Sequence, residues 1–184
     1  MYAKLHALAR GIDRLSETTG RIIAWLTLGT VLITFVVVVL RYVFQSGSIA
    51  LQESISYLHA TVFMLGAAYT LKHDGHVRVD ILYRDLGPRG KAWVNLFGTL
   101  LMLMPVCGFI LYVSWEYVAV SWSMREGSQE AGGLDAVFLL KTVIPLMATL
   151  LLLQGLSMVL HSILLLAGQQ PESDVDSTGP DREL

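Results

Sequence analysis

Two histidines, two aspartates and two basic side chains lie within ten residues, in the segment LKHDGHVRVD at 71–80. Two histidines three residues apart, His73 and His76, could indicate a metal or haem site. A metal site needs further ligands in a fixed geometry, and the sequence places none nearby. Basic side chains also stabilise the end of a helix, and Gly75 suits the left-handed residue that follows one. We therefore interpret the segment as a helix end and expect no cofactor.

The remainder of the chain is strongly apolar. Of its 184 residues, 54% are hydrophobic and only 15% are charged, whereas soluble domains carry about a quarter charged residues. The net charge of −2 gives no indication of nucleic-acid binding. Cys107 is the only cysteine, which excludes an intramolecular disulfide bond. The composition therefore predicts a membrane protein.

The apolar residues form four blocks, each long enough to cross a bilayer, which takes about 20 residues. The four predicted spans cover residues 22–44, 51–71, 92–120 and 136–167. The fold class predicted is all-α integral membrane, with a four-helix membrane domain over residues 22–167. Small residues such as Gly66 and Ala67 let helices approach closely, so we expect the second span to be the central helix.

The segments outside the four spans predict the orientation of the chain. Residues 1–21 place Leu5, Leu8, Ile12 and Leu15 on one helical face, which favours an amphipathic helix at the membrane interface. Lys and Arg concentrate before span one and between spans two and three, so both termini should be cytoplasmic. The acidic, turn-rich tail at 168–184 is expected to be disordered.

This topology brings four charged side chains to one level near the outer face. They are Arg41, Glu53, Glu116 and Lys141, one from each span. Ionisable groups at membrane depth usually pair or face a protein interior. We therefore expect some of them to pair, Arg41 with Glu53 above all, and to tie the outer half of the bundle or its contact with a partner. In the alternative, long side chains reach water separately.

Several of these residues carry a resemblance to a known family. The stretches RYVF at 41–44, FMLGAAYTLK at 63–72 and GHVRVD at 75–80 occur in this order, with Glu53 between the first two. Together they resemble the small membrane subunit, DctQ-type, of tripartite ATP-independent periplasmic (TRAP) transporters, over roughly residues 15–168. The positions that match the family pattern are Arg41, Tyr42, Glu53, Gly66, Ala67, Ala68, Gly75, His76 and Asp80.

The resemblance implies a function that composition alone does not. It implies a scaffold for a large membrane subunit (DctM-type), which moves an organic acid and sodium across the bacterial inner membrane. A periplasmic substrate-binding protein (DctP-type) would deliver the acid. The small subunit would bind no substrate itself, and membrane lipid would surround it.

Three other functions can be weighed on the residues. A membrane anchor of an electron-transfer complex would hold haem between two histidines, but His59 and His161 fall at different predicted depths. A self-sufficient small transporter would need a polar path through the midplane, where His59 is the one deep candidate. An enzyme would need a nucleophile beside a base, and the sequence shows no such set.

Overall fold

The computed structural model describes residues 2–77 and 83–169, and this part of the chain is entirely helical. Helix α1 covers Tyr2–Tyr42, α2 covers Ile49–Lys72, α3 covers Pro88–Met124 and α4 covers Val137–Leu166. The all-α prediction is therefore confirmed for the described residues. By length and composition, α1, α3 and α4 are able to cross a membrane, whereas the less apolar α2 does not qualify on those two criteria.

Helix α1 is a single rod of 41 residues. At 1.5 Å per residue it extends about 60 Å, roughly twice the hydrocarbon thickness of a bilayer. The amphipathic segment predicted at 1–21 thus continues into the apolar segment without a break after Arg21. Its buried positions are Ala9, Ile12, Ser16 and Ile23, the last of them one residue past the middle of the helix. The first half therefore packs against the bundle, while Leu8 and Leu15 remain exposed.

Helix α4 is the central helix, because it contacts α1, α2 and α3. The prediction that the second span occupies this place was wrong. Among the buried residues of α4 are the small or polar Ala148, Gln154, Gly155, Ser157 and Ser162, whereas only Ala68 is fully buried on α2. Small side chains allow close backbone approach without apolar bulk, and α4 carries more of them at buried positions than α2.

A π-helical turn at Thr99–Leu103 divides α3 into two α-helical parts, Pro88–Gly98 and Met104–Met124. The turn directly precedes Pro105, which has no N–H and whose ring crowds the carbonyl of Leu101 four residues before it. Widening the helix by one residue relieves this conflict. The wider turn lies on Gly155, where an added Cβ would be 3.2 Å from Thr99 Cγ2.

The close approach of α1 to α2 depends on a glycine. A Cβ at Gly20 would lie 2.3 Å from the Tyr69 ring, whereas a Cβ at Gly11 would have no heavy atom within 4 Å. Gly20→Ala should therefore destabilise the protein by about 1–3 kcal/mol through overpacking. Gly11→Ala is the matched control and should be neutral or stabilise by up to about 1 kcal/mol.

The measurement is the thermal midpoint of each purified variant in detergent. Equal midpoints for Gly20→Ala and Gly11→Ala would contradict the close α1–α2 contact at residue 20.

Candidate functional site

A group of hydrogen-bonded side chains, here called the inner cluster, joins the first half of α1 to the second half of α4. Its members are Asp13, Ser16, Gln154, Ser157 and His161. Asp13 Oδ1 accepts from Ser157 Oγ at 2.7 Å and from Gln154 Nε2 at 3.1 Å. Asp13 Oδ2 lies 2.9 Å from His161 Nε2, and Ser16 Oγ donates to Gln154 Oε1 at 2.6 Å. Every described bond of the cluster crosses from one helix to the other.

The inner cluster keeps Asp13 ionised although it is half-buried. Burial by itself would raise the pKa of Asp13. The hydrogen bonds from His161, Ser157 and Gln154 outweigh burial and lower the pKa to about 2, from an ordinary value of 3.8. Ser157 is 0% exposed and Gln154 only 2%, so these side chains have no water to replace the carboxylate. Removing Asp13 would leave the Gln154 amide donor without this acceptor and Ser157 with only its longer bond to Ala9 O, at 3.4 Å, which is costly in a buried site.

A second carboxylate, Glu17, joins α1 to the end of α2 one helical turn further along. Glu17 Oε2 accepts from Lys72 Nζ at 2.7 Å and lies 2.9 Å from His73 Nε2, and Glu17 Oε1 lies 2.9 Å from Arg21 Nε. The bonds from Lys72, His73 and Arg21, in that order of effect, lower the pKa of Glu17 to about 2. The basic residues of LKHDGHVRVD thus bind a partner on another helix.

The turn after α2, within LKHDGHVRVD, has a different left-handed residue from the one expected. The left-handed residue is Asp74, with φ 57°, and the prediction that Gly75 takes this conformation was wrong. Aspartate tolerates the left-handed region better than most residues. Gly75 follows it, and its N–H bonds to Thr70 O at 2.9 Å. An added Cβ at residue 75 would lie 3.1 Å from Thr70 Cγ2, so glycine lets the backbone of the turn approach Thr70 closely.

At the opposite end of the bundle, Glu53 holds the connection between α3 and α4, residues 125–136. Its carboxylate accepts from Ser128 Oγ and, at 2.7 Å, from the backbone N–H of Leu134. Lys141 Nζ bonds to Glu126 and lies 4.1 Å from the Tyr117 ring centroid. The Lys141 ammonium holds the pKa of Glu126 below its usual value. We call Glu53, Ser128, Glu126 and Lys141 the outer cluster.

Within the described residues, the four charged residues singled out in the sequence do not pair with one another. The Arg41–Glu53 pair is absent within the described parts of the chain, where Arg41 is exposed and forms no ion pair. Lys141 pairs with Glu126. Glu116 is exposed on α3 and makes no described hydrogen bond or ion pair.

The positions of the family pattern are spread over several parts of the fold. Tyr42 is exposed at the end of α1, Gly66 is half-buried in α2, and Gly75 and His76 are exposed after it. Asp80 lies outside the described residues, as does the predicted disordered tail beyond residue 169. The two histidines considered for haem have other surroundings. His161 bonds to Asp13, and His59 is exposed beside the Phe63 ring.

Sequence reasoning missed both acidic residues of α1. Asp13 and Glu17 are four residues apart, and side chains at this spacing share one helical face. They are the only acidic residues before Glu53, so their spacing was a readable signal. The partners of Asp13 on α4 stand out only as polar residues within an apolar block, where Gln154 and Ser157 lie among leucines, and nothing in the sequence links them to Asp13.

The pKa of Asp13 predicts a pH dependence of stability. Because the folded pKa is depressed, the carboxylate stabilises the fold above the ordinary pKa of 3.8 and loses this effect as pH falls towards 2. The full effect is roughly 2 kcal/mol. Asp13→Asn should therefore lower the thermal midpoint at neutral pH, and the deficit should shrink below pH about 4. The control is Asp85→Asn, which changes an exposed carboxylate; an equal deficit in both variants would contradict the assignment.

The outer cluster predicts a change in protease sensitivity. Arg125 is exposed and is the only Lys or Arg between residues 125 and 136, so trypsin can cut this connection only there. Glu53→Ala removes the acceptor for Ser128 and for the Leu134 N–H, which should loosen the connection and speed cleavage severalfold. Gln52→Ala, at an exposed neighbouring position, should cleave as the wild type does. Unchanged cleavage in Glu53→Ala would show that Glu53 does not restrain the connection.

Comparisons with known proteins identify a family that this sequence matches. The family described as "Tripartite ATP-independent periplasmic transporters, DctQ component" matches residues 30–165. A protein of Haemophilus influenzae with the provisional name "TRAP transporter small permease protein" is 34% identical over 84 residues. This match covers 46% of the present chain and 52% of the relative, so the chain spans about half the length of that protein.

No solved structure matches the chain. The family match extends over well over half of the sequence, from the middle of α1 almost to the end of α4. It includes all nine positions of the pattern recognised in the sequence together with both outer-cluster glutamates, and it confirms the resemblance. The chain belongs to the DctQ family, the small membrane components of tripartite ATP-independent periplasmic transporters.

Proposed function

We propose that this chain is the scaffold subunit of a TRAP transporter that takes up an organic acid, a carboxylate, by using a sodium gradient. It would bind a large, DctM-type membrane subunit that carries substrate and sodium. A periplasmic, DctP-type protein would deliver the acid. Family membership supports the transporter class. The scaffold role is supported by the described ion pairs of the bundle, most of which join different elements of the fold.

The described ion pairs lie at the two ends of the bundle and, apart from Arg21–Glu17 within α1, join one element to another. Glu17 binds the end of α2, Asp13 binds α4, and Lys141 binds Glu126. A carrier of organic anions would instead need cationic or donor groups facing a shared path. The geometry therefore favours a structural subunit over a self-sufficient transporter, and over an enzyme.

The same contacts support a topology with four crossings and both termini in the cytoplasm of a bacterium. Glu17, near the start of the chain, meets Lys72 at the end of α2. Glu53, near the start of α2, meets the α3–α4 connection. The end of α2 thus lies beside the first part of α1, and the start of α2 lies beside the α3–α4 connection, as expected if every helix crosses the membrane. With 24 residues, α2 extends about 36 Å, enough to cross the hydrocarbon. The Lys and Arg excess near Glu17 supports a cytoplasmic position for that end.

The proposal predicts a stable complex and a defect in uptake. The chain, tagged and expressed at native level, should co-purify in fixed ratio with a larger membrane protein that mass spectrometry identifies as a TRAP large subunit. Cells lacking the chain should lose sodium-dependent uptake of at least one acid from a panel of labelled carboxylates, and the restored gene should recover it. A chain that purifies alone, with carboxylate uptake unchanged by its deletion, would contradict the proposal.

A further inference from the structure

Helix α3 has two opposite faces, of which only one is used within the bundle. Its buried positions after the π-helical turn are Cys107, Ser114, Val118 and Ser121, and this face packs on α4. The opposite face shows the same helical spacing. It consists of Phe109, Tyr112, Val113, Glu116 and Val120, all of them exposed. We call these five residues the α3 outer face.

The spacing of the α3 outer face is that of a surface which receives another helix. Positions 109, 112, 113, 116 and 120 follow the i, i+3, i+4, i+7 pattern by which helices present anchors to a partner. Tyr112 is 81% exposed and Phe109 66%. Beside them lies a groove of about 640 Å³, lined by Gly108, Tyr112, Trp115 and Glu116 among others. A protein helix would fill such a groove.

The carboxylate of Glu116 decides what kind of helix fits. Glu116 lies eight residues before Met124, where α3 ends, which is about 12 Å along the helix. Glu116 also lies inside the predicted third span, 92–120, on a face of α3 that is exposed within the described structure. Ionisable residues at such depth are costly and pair with a group in a protein. Within the described residues Glu116 has no partner: Lys141 lines a groove with it, but the Lys141 ammonium bonds to Glu126.

Two other occupants fit this face less well. Lipid acyl chains would cover the aromatic residues but offer nothing to the carboxylate. A second copy of this chain, docked by the same face about a two-fold axis, would bring one Glu116 towards the other. Like charges in a low-dielectric contact repel strongly. The occupant must therefore carry a basic or hydrogen-bond-donating side chain opposite residue 116.

We propose that the α3 outer face docks a helix of the large membrane subunit, which presents a basic side chain to Glu116. The inference rests on the proposed function, since that function supplies a second membrane subunit. It adds the surface and the charge that the partner must provide.

Photo-crosslinking in intact cells tests the surface while Glu116 stays in place. A photoreactive phenylalanine analogue replaces Tyr112 in one strain and Phe35 in another. Phe35 is the control, because it is 66% exposed on the apolar second half of α1. Residue 112 should crosslink to the large subunit, in a peptide that contains Lys or Arg, and residue 35 should not. Crosslinks from 35 but not 112, from 112 to a second copy of this chain, or from 112 to lipid only would overturn the proposal.

Charge reversal tests the ion pair in the same complex. Glu116→Lys should reduce the large subunit recovered with the tagged chain at least tenfold. Glu130→Lys makes the same change at an exposed position of the α3–α4 connection and should leave recovery within twofold of wild type. Equal recovery in both variants would overturn the proposal. If wild-type chain recovers the large subunit while these tests fail, the scaffold function stands; if wild-type recovers none, both proposals fall.

Discussion

The bond between Asp13 and α4 is the contact on which the arrangement of this bundle depends. Helices in lipid gain little from bringing apolar surfaces together, because the acyl chains are equally apolar. The relative position of two helices must then be fixed by close packing and by polar groups that can bond only to each other. Asp13 supplies such a group, since Ser157, Gln154 and His161 all bond to it.

This contact explains why α1 is a single long helix. An amphipathic segment held only by lipid could bend at the membrane surface. Here Asp13 and Glu17 bind α4 and α2 on successive turns, and Gly20 lets Tyr69 approach closely on the next. Three consecutive turns of α1 are thus fixed to the bundle. After Ile23, α1 has no fully buried residue, and exposed side chains such as Trp25 and Phe35 make this part of the helix an apolar surface.

Apolar length and composition predicted the helical class, and the ordered residues from Arg41 to His76 predicted the family. Pairing was harder to predict. The predicted topology placed Arg41 and Glu53 at the same depth near the outer face. In the structure, however, Glu53 bonds to Ser128 and to the Leu134 N–H. A hydropathy pattern gives depth along a helix but not rotation about it. The rotation of each helix decides whether two residues at one depth face each other. In addition, the α3–α4 connection offers Glu53 a backbone donor, the Leu134 N–H, which no hydropathy pattern reveals.

The place of α4 shows the same limit. The small residues of α2 predicted that α2 would be the central helix. Burial depends on how many helices pack on an element, and α4 contacts three helices, α1, α2 and α3. The scattered polar residues Gln154 and Ser157 were the informative ones. A polar side chain within an apolar block is costly against lipid, so it indicates a buried face.

The most direct test of this account is a double-mutant cycle between Asp13 and His161, read as the stability of the purified protein at neutral pH. Asp13→Ala, His161→Ala and the double variant are compared with the wild type. We expect the stability losses of the two single variants to sum to more than the loss in the double variant. The difference, which is the coupling energy, should be about 1–3 kcal/mol for a partly buried, charge-assisted contact. Additive losses, within about 0.5 kcal/mol, would show that Asp13 does not hold α1 to α4.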